Sequence, residues 1–331
     1  MMILIPDNKV STLKWIALLE GLLIILLLGI LVYTGTKNPA TAISNVPKNG
    51  LLSPRVYAGL LPSKSFLILN FAPLREALNN YTLKNNYNVS VYVVNLRDGA
   101  SFGVNAGKGY PPASLNKIPL AILIMRKIEN SDLTLGSRLT IHDEDRTNSF
   151  GNLYKTGEKI STEVLLQRML RDSDDTAFHV LRHEIDRREL DLLLDYSDYF
   201  SKESISAQEY ITPRSVYALF SSLYLSTILE PEHSEYILTQ LTNTVFDIQS
   251  AAQLPKNVTI AQKFGYEYLQ GEPYFHDCGI MYISDMRIFY CIMTKDLDRN
   301  KAAGIVGTIV HEIYQYVLET RKKLDTYRVN G

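Results

Sequence analysis

The hydrophobic pattern of the chain begins with one long apolar run, Trp15–Tyr33, which contains a single charged residue, Glu20. A membrane-spanning helix needs about 20 mostly apolar residues, and this run has that length without a polar face. We therefore predict a short N-terminal tail over 1–14 and a transmembrane anchor over 15–35. A cleaved signal peptide and a buried core helix are the alternative interpretations.

The region after the run, residues 36–65, is rich in Pro, Ser, Asn and Gly, which is typical of a linker. Lysines flank the run in nearly equal number on its two sides, so the positive-inside rule gives little orientation. The long polar part of the chain all follows the run. We therefore predict a single-pass protein of the cell membrane, whose domain lies outside the cytoplasm.

Beyond the linker, the pattern over 66–331 predicts one domain in which helical and strand periods alternate. The expected helices are Pro73–Leu83, Ser114–Glu129, Ser161–Leu170, Thr176–Glu184, Arg188–Leu194, Pro213–Leu225 and Lys301–Leu324. The expected strands are Val89–Val94, Ser101–Asn105, Val258–Phe264, Gly279–Ile283 and Ile288–Thr294. This order predicts an α/β (α+β) fold: an antiparallel five-stranded sheet flanked by helices, with a helical lobe and a cleft between them.

The composition narrows the class of partner. The formal net charge is −1, and the tyrosines form no stripe with basic residues, so nucleic acid is not expected. The two cysteines, Cys278 and Cys291, fall in segments expected to be adjacent strands. One disulfide is an alternative, but we predict buried free thiols, because free cysteine is often buried.

Three short motifs carry the candidate chemistry: Ser114-Leu115-Asn116-Lys117, Ser173-Asp174-Asp175 and Lys263-Phe264-Gly265. Each alone is weak, since Ser-x-x-Lys recurs at Ser11–Lys14 and Lys-Thr-Gly at Lys155–Gly157. Their order along the chain and the elements that hold them give them weight.

Ser114 opens an apolar helix, which places Lys117 on the same helix face. A serine hydroxyl becomes a good nucleophile when a neighbouring base takes its proton, and a lysine can do so if burial lowers its pKa. The alternative is an N-cap serine beside a surface lysine. Likewise, Ser173 is either a proton relay or a helix cap, and Lys263 is either a ligand for a carboxylate or the end of a strand.

Together these motifs resemble the Ser-x-x-Lys, Ser-Asp-Asn and Lys-Thr-Gly set of class A β-lactamases and penicillin-binding proteins. Ser173–Ala177 is similar to the family's Ser-Asp-Asn-Thr-Ala, and Thr212-Pro213-Arg214 to the segment that follows its omega loop. The resemblance covers about Phe66 to Leu324. It implies a serine hydrolase that acts on β-lactams or on peptidoglycan-like peptides and esters, without metal or cofactor.

The resemblance also implies a role for each site residue. Ser114 would be the acylated nucleophile, Lys117 its base and Ser173 a proton relay. The substrate would be bound by Asp175, Lys263, Gly265 and Tyr266. The backbone N–H groups of Ser114 and Tyr266 would form the oxyanion hole.

Three departures from the family pattern bear on activity. Asp175 stands where the family has Asn, and it favours a charged lysine. Phe264 replaces the Thr of Lys-Thr-Gly and removes a hydroxyl that binds carboxylate. No Glu-x-x-Leu-Asn lies between Glu184 and Thr212, although Glu203 and Glu209 are acids of that region. We predict β-lactam hydrolysis; the alternatives are a D,D-peptidase or esterase with slow deacylation and a non-catalytic cell-wall-binding relative.

Two further pairs are weaker candidates. His179 and His183 are spaced for one helix face and could bind a metal, but no third ligand is evident and a solvated face is expected. His276-Asp277 is either catalytic or a structural hydrogen-bonded pair.

Overall fold

The computed structural model describes Leu51 and residues 70–147, 153–200 and 209–329, with side chains as far as Lys322. The predicted tail, the anchor and nearly all of the linker lie outside these residues. Within the described ranges, none of the helices combines the length and the apolar character that crossing a bilayer requires.

A five-stranded antiparallel sheet forms the centre of the domain, with the order β2-β1-β7-β6-β5. Its strands are β1 (Val89–Asn95), β2 (Ser101–Val104), β5 (Thr259–Leu269), β6 (Glu272–Ile283) and β7 (Met286–Lys295). The predicted five-stranded sheet is confirmed. A second, two-stranded sheet pairs β3 (Arg138–Thr140) with β4 (Lys159–Ser161); its strands are too short for alternation to predict them.

Helices cover both faces of the large sheet. They are α1 (Ala72–Lys84), α2 (Lys117–Glu129), α3 (Thr162–Gln167), α4 (Asp175–His183), α5 (Arg187–Tyr196), α6 (Pro213–Leu225), α7 (Pro231–Leu241), α8 (Ile248–Ala251) and α9 (Arg299–Val329). Of these, α7 and the four-residue α8 were not predicted from the sequence, although Pro231 at the first turn of α7 is a common helix start.

Two apolar clusters explain why the strands are continuous apolar runs rather than alternating ones. One cluster joins one face of the sheet to α1 and α9. The other joins the opposite face to the helical lobe, which is built from α2 to α7. Because both faces are covered, all seven residues of β1 are buried. The cleft that carries the site lies where the lobe meets edge strand β5.

The prediction of two free thiols is wrong, because Cys278 and Cys291 form a disulfide. The two residues are direct partners in the register of β6 and β7. Directly opposite residues of an antiparallel pair point to the same face with their Cβ atoms close together. The sequence alone does not show which residues of the two strands lie opposite each other. It could therefore not decide between a disulfide and two free thiols.

Candidate active site

Ser114 lies in a 3-10 turn, Ala113–Asn116, directly before α2. The expected helix therefore starts as a tighter turn, and Ala113 enters it with a φ of 45°. His276 fixes the segment before the turn, since its Nε2 lies 2.9 Å from the carbonyl oxygen of Pro111. The turn that carries Ser114 is thus held in place by a hydrogen bond from a residue of the sheet.

Gly265 of β5 packs against this turn from the other side. A Cβ at position 265 would lie 3.0 Å from both the Ala113 Cβ and the Ser114 nitrogen. Such contacts are tighter than side chains normally make, so the absence of a side chain lets strand and turn approach. The sequence suggested a glycine that admits substrate; the close approach seen here is to the nucleophile turn itself.

Lys117 connects Ser114 to the serine–aspartate motif. Its ammonium donates a hydrogen bond to Ser114 Oγ at 2.8 Å and to Asp175 Oδ1 at 2.5 Å. It also lies 5.4 Å from the centre of the Phe178 ring. Burial, which leaves Lys117 only 2% exposed, lowers its pKa, while the charge and hydrogen bond of Asp175 act in the opposite direction.

Ser173 lies at the sharp junction between a π-helical turn, Arg168–Asp172, and α4. It adopts a left-handed conformation, with φ 60° and ψ 32°, which lets the chain reverse there. The buried Asp174 that follows caps α4 by accepting hydrogen bonds from two backbone N–H groups, and it also accepts one from the Tyr154 hydroxyl. Asp174 is therefore a structural residue that holds the junction in shape.

Lys263 reaches the same junction from the sheet. It is fully buried, and its ammonium donates hydrogen bonds to Ser173 Oγ at 2.9 Å and to the Phe264 carbonyl at 3.0 Å. Burial, and then the neighbouring charge of Lys117, hold its pKa well below the usual range. Both acceptors are neutral, which distinguishes this lysine from Lys117.

The two members of His276-Asp277 point to opposite faces of β6, so they do not form the pair that the sequence suggested. Burial lowers the pKa of His276 to about 4, and its ring holds the Pro111 turn as a neutral imidazole. Asp277 instead accepts a hydrogen bond from the Tyr290 hydroxyl at 2.7 Å. Burial raises the pKa of Asp277 to about 8. Neither residue lines the cleft.

The two histidines of α4 are also separated. His179 lines the cleft, whereas the Nε2 of His183 lies 2.7 Å from Asp145 Oδ1 at the foot of the lobe.

A cavity of about 500 Å³ opens over the nucleophile. Of the predicted site residues, its walls contain Ser114, Lys117, Asp175 and Tyr266, while Ser173, Lys263 and Gly265 support those walls from behind. Two acids that the sequence did not place in the cleft also line it, Glu209 and Glu267. Glu267 is two residues beyond Gly265 on β5, so strand alternation could have found it.

Comparison with known proteins identifies the family of the chain. Residues 73–317 match the model of the β-lactamase enzyme family. No curated protein sequence is similar enough to count as a relative. Among solved structures, PBP-A is similar with a TM-score of 0.64 and 20% identity, over 77% of this chain and 99% of that one.

Two further structures extend the comparison. A β-lactamase from Chitinophaga pinensis DSM 2588 has a TM-score of 0.66 and 16% identity, over 74% of this chain and 99% of that one. A variant of PBP-A, also with a TM-score of 0.64, 20% identity and coverage of 77% and 99%, was solved as an acyl-enzyme complex with penicillin G. At these identities the structures show a shared fold, while the family model covers most of the chain. The chain therefore belongs to the β-lactamase enzyme family and is a β-lactamase-like serine hydrolase.

Proposed function

We propose that the protein forms an acyl-enzyme on Ser114 with β-lactams or with peptidoglycan-like peptides and esters. One observation carries the proposal: a buried lysine amine lies 2.8 Å from the Ser114 hydroxyl, inside a cavity large enough for a small substrate. In this reaction Ser114 Oγ bonds to the carbonyl carbon, and the bond from that carbon to the leaving group breaks. The backbone N–H groups of Ser114 and Tyr266 would stabilise the oxyanion.

Lys117 accepts the serine proton in this proposal, and Asp175 controls when it can. While the carboxylate of Asp175 is ionised and wet, it holds Lys117 as an ammonium that cannot accept a proton. Because the Asp175 side chain is 45% exposed, a bound substrate can cover it and exclude water, and the desolvation cost of the two charges then favours the neutral pair. The lysine then passes its proton to Asp175 and takes the proton of Ser114.

Ser173 relays the proton to the leaving group in the same proposal: its hydroxyl gives a proton to the leaving group and takes one from the Lys117 ammonium. The hydrogen bond from Lys263 fixes the Ser173 hydroxyl, which stands at a left-handed junction between two helical segments. Lys263 is thus a positioning residue for Ser173. Its complete burial leaves it a support for the relay rather than a contact of the substrate.

A D,D-peptidase or esterase with slow deacylation is the second candidate, and the missing Glu-x-x-Leu-Asn favours it. Of the two acids in that region, Glu203 lies outside the described residues, and Glu209 lines the cavity without the motif. Turnover of a chromogenic cephalosporin separates the two. Sustained hydrolysis supports a β-lactamase, whereas one stoichiometric burst supports slow deacylation. The non-catalytic alternative expected Lys117 to point away from Ser114, and its contact with Ser114 Oγ speaks against that.

Intact-mass spectrometry tests the shared step. The purified domain, incubated with a penicillin and separately with a fluorophosphonate, should gain the mass of one reagent, and Ser114→Ala should gain none. Absence of an adduct with both reagents on the wild type, or an adduct that persists in Ser114→Ala, would contradict the proposal.

We also propose that the run Trp15–Tyr33 anchors the domain to the cell membrane from outside the cytoplasm. The length of the run supports the anchor, and the disulfide between Cys278 and Cys291 fits an oxidising compartment. A C-terminal reporter that is active only in the cytoplasm should stay silent. An active reporter would overturn the orientation, and release of the protein from washed membranes would overturn the anchor.

A further inference from the structure

The walls of the cleft carry an unusual balance of charge for a site that is expected to bind carboxylates. Among the described residues that line it, three are carboxylates, Asp175, Glu209 and Glu267, and one is a lysine, Lys117. These four charged side chains together give the described lining a net charge of −2. The single ammonium is already bound by Asp175 at 2.5 Å. The described part of the lining therefore favours a cation over an anion.

A second and independent observation concerns the residue expected to hold a substrate carboxylate. Lys263 is fully buried, and its ammonium is already bonded to Ser173 Oγ and to the Phe264 carbonyl. It is not among the residues that line the cavity. Phe264 beside it offers no hydroxyl, and its ring packs with Phe246 in the apolar cluster beneath the sheet. The two groups expected to bind a carboxylate, a lysine ammonium and a threonine hydroxyl, are therefore not available at this position on the surface of the cleft.

The remaining charges near the rim do not reverse this balance. Arg299 stacks over the ring of Tyr266 at 5.5 Å. Tyr266 and Glu267 are successive residues of β5, so their side chains point to opposite faces of the sheet. Glu267 faces the nucleophile turn, where it accepts a hydrogen bond from the Ala113 backbone N–H. In the described part of the chain, no cation lies within ion-pair distance of Glu209 or Glu267.

We propose that this cleft selects substrates that carry an ammonium group near the reactive carbonyl, with Glu209 and Glu267 as specificity-determining residues. The inference rests on the acyl-transfer function proposed above and narrows its preferred substrate class to amino-acyl esters and amides. A penicillin, whose carboxylate stays on the acyl group, should acylate Ser114 more slowly than such an ester. The ammonium replaces the missing positive charge of the lining. A carboxylate in the same place meets repulsion from two acids, and the described residues offer it no accessible lysine.

Three esters of one phenol test the proposal because they differ only in the end of a short acyl chain: a trimethylammonium, a tert-butyl or a sulfonate group. The three ends have similar size and differ in charge. At low ionic strength and mildly alkaline pH, kcat/KM should fall in that order, with at least a tenfold difference between the ammonium and sulfonate esters. Added salt should narrow the difference, because both carboxylates are partly open to solvent.

The double variant Glu209→Gln, Glu267→Gln should reduce the ammonium-to-tert-butyl ratio of kcat/KM at least threefold. Glu232→Gln, an exposed acid in the first turn of α7, changes the net charge outside the cleft and should leave the ratio unchanged. Hydrolysis with the tert-butyl or sulfonate ester preferred, or an ammonium preference that survives in the double variant, overturns this inference alone. Failure of all three esters together with no fluorophosphonate adduct overturns the proposed function, and the inference falls with it.

Discussion

Two lysines face each other across the site, one from the helical lobe and one from the sheet, and they have opposite surroundings. Lys117 of α2 meets a carboxylate, a hydroxyl and an aromatic ring at the cleft surface. Lys263 of β5 meets a hydroxyl, a carbonyl and the ring of Phe264, with no exposed surface. Burial lowers the pKa of both, but only Lys117 has a carboxylate within ion-pair distance to oppose it.

The comparison shows that burial alone does not decide which amine is charged. A carboxylate contact favours the charged form of a lysine, whereas neutral acceptors only satisfy its hydrogen bonds. Each ammonium also disfavours a charge on the other, as the lowering of the Lys263 pKa by Lys117 shows. We therefore interpret Lys117 as the gated base and Lys263 as the support of Ser173.

The largest expected effect comes from removing the amine on the lobe side. Lys117→Met keeps the length and the burial of the side chain but cannot accept a proton. Acylation of Ser114 by a penicillin or an activated ester should slow by roughly 10²–10⁴-fold, the usual contribution of a general base. Stopped-flow or quenched mass spectrometry measures the rate. A rate within threefold of the wild type would show that another group activates Ser114.

The next effect concerns Asp277, which is fully buried beside Tyr290 of the apolar cluster beneath the sheet and interacts with the charge of Lys263. Its folded-state pKa of about 8 lies above the ordinary value of 3.8, so the folded protein binds more protons between these values. The free energy of unfolding from this group should therefore fall as pH rises through that window, by up to about 1.4 kcal/mol per pH unit. Asp277→Asn should remove the fall.

Denaturant unfolding of the wild type and Asp277→Asn across that window measures this difference. Asp132→Asn, at an exposed loop position, is the matched control and should follow the wild type. Parallel pH curves for the wild type and Asp277→Asn would show that Asp277 is ionised in the folded protein. Lys263 would then have a charged carboxylate near it rather than neutral neighbours alone.

A substitution at Gly265 tests whether strand β5 must pack closely against the turn that carries Ser114. Gly265→Ala places a Cβ 3.0 Å from the nucleophile turn, and overpacking of this kind costs about 1–3 kcal/mol. We expect lower thermal stability and slower acylation together. Gly304→Ala in α9 meets nothing within 4 Å and should be neutral or stabilising by up to about 1 kcal/mol. Unchanged acylation in Gly265→Ala would show that the turn does not need this contact.

The smallest effect should come from Asp175→Asn, which makes Lys117 resemble Lys263 by removing its carboxylate. The pKa of Lys117 should fall further, because burial then acts without opposition. The acidic limb of the pH profile for kcat/KM should therefore move to lower pH, because the amine is then free of its proton at lower pH. An unmoved limb would mean that Asp175 does not set the charge of Lys117.

Local sequence signals predicted the elements of the fold more closely than their ends. The predicted strands over 258–264 and 279–283 are confirmed but continue into a hairpin, as β5 extends to Leu269 and β6 begins at Glu272. Gln270 and Gly271 both have positive φ, as a two-residue hairpin turn requires. The exposed aromatic positions before this turn lack the apolar pattern of a buried strand, which is why the sequence underestimated the strand.

In the candidate site, too, local contacts could be predicted from the sequence and long-range contacts could not. The contact between Ser114 and Lys117 follows from helical spacing, and the sequence predicted it. The contact between Lys263 and Ser173 joins residues 90 positions apart, so only the resemblance to a known family suggested it. Glu209 and Glu267 have no motif, and the structural role of His276 depends on a carbonyl 165 residues away. Such features require the folded chain.

Mapping the site of acylation tests the central claim most directly. After labelling with a fluorophosphonate, digestion and fragmentation should place one adduct on the hydroxyl of Ser114, and the yield should drop sharply in Lys117→Met. An adduct on Ser173 or on any other residue would contradict the account, since the nucleophile would then lie outside the reach of the Lys117 amine.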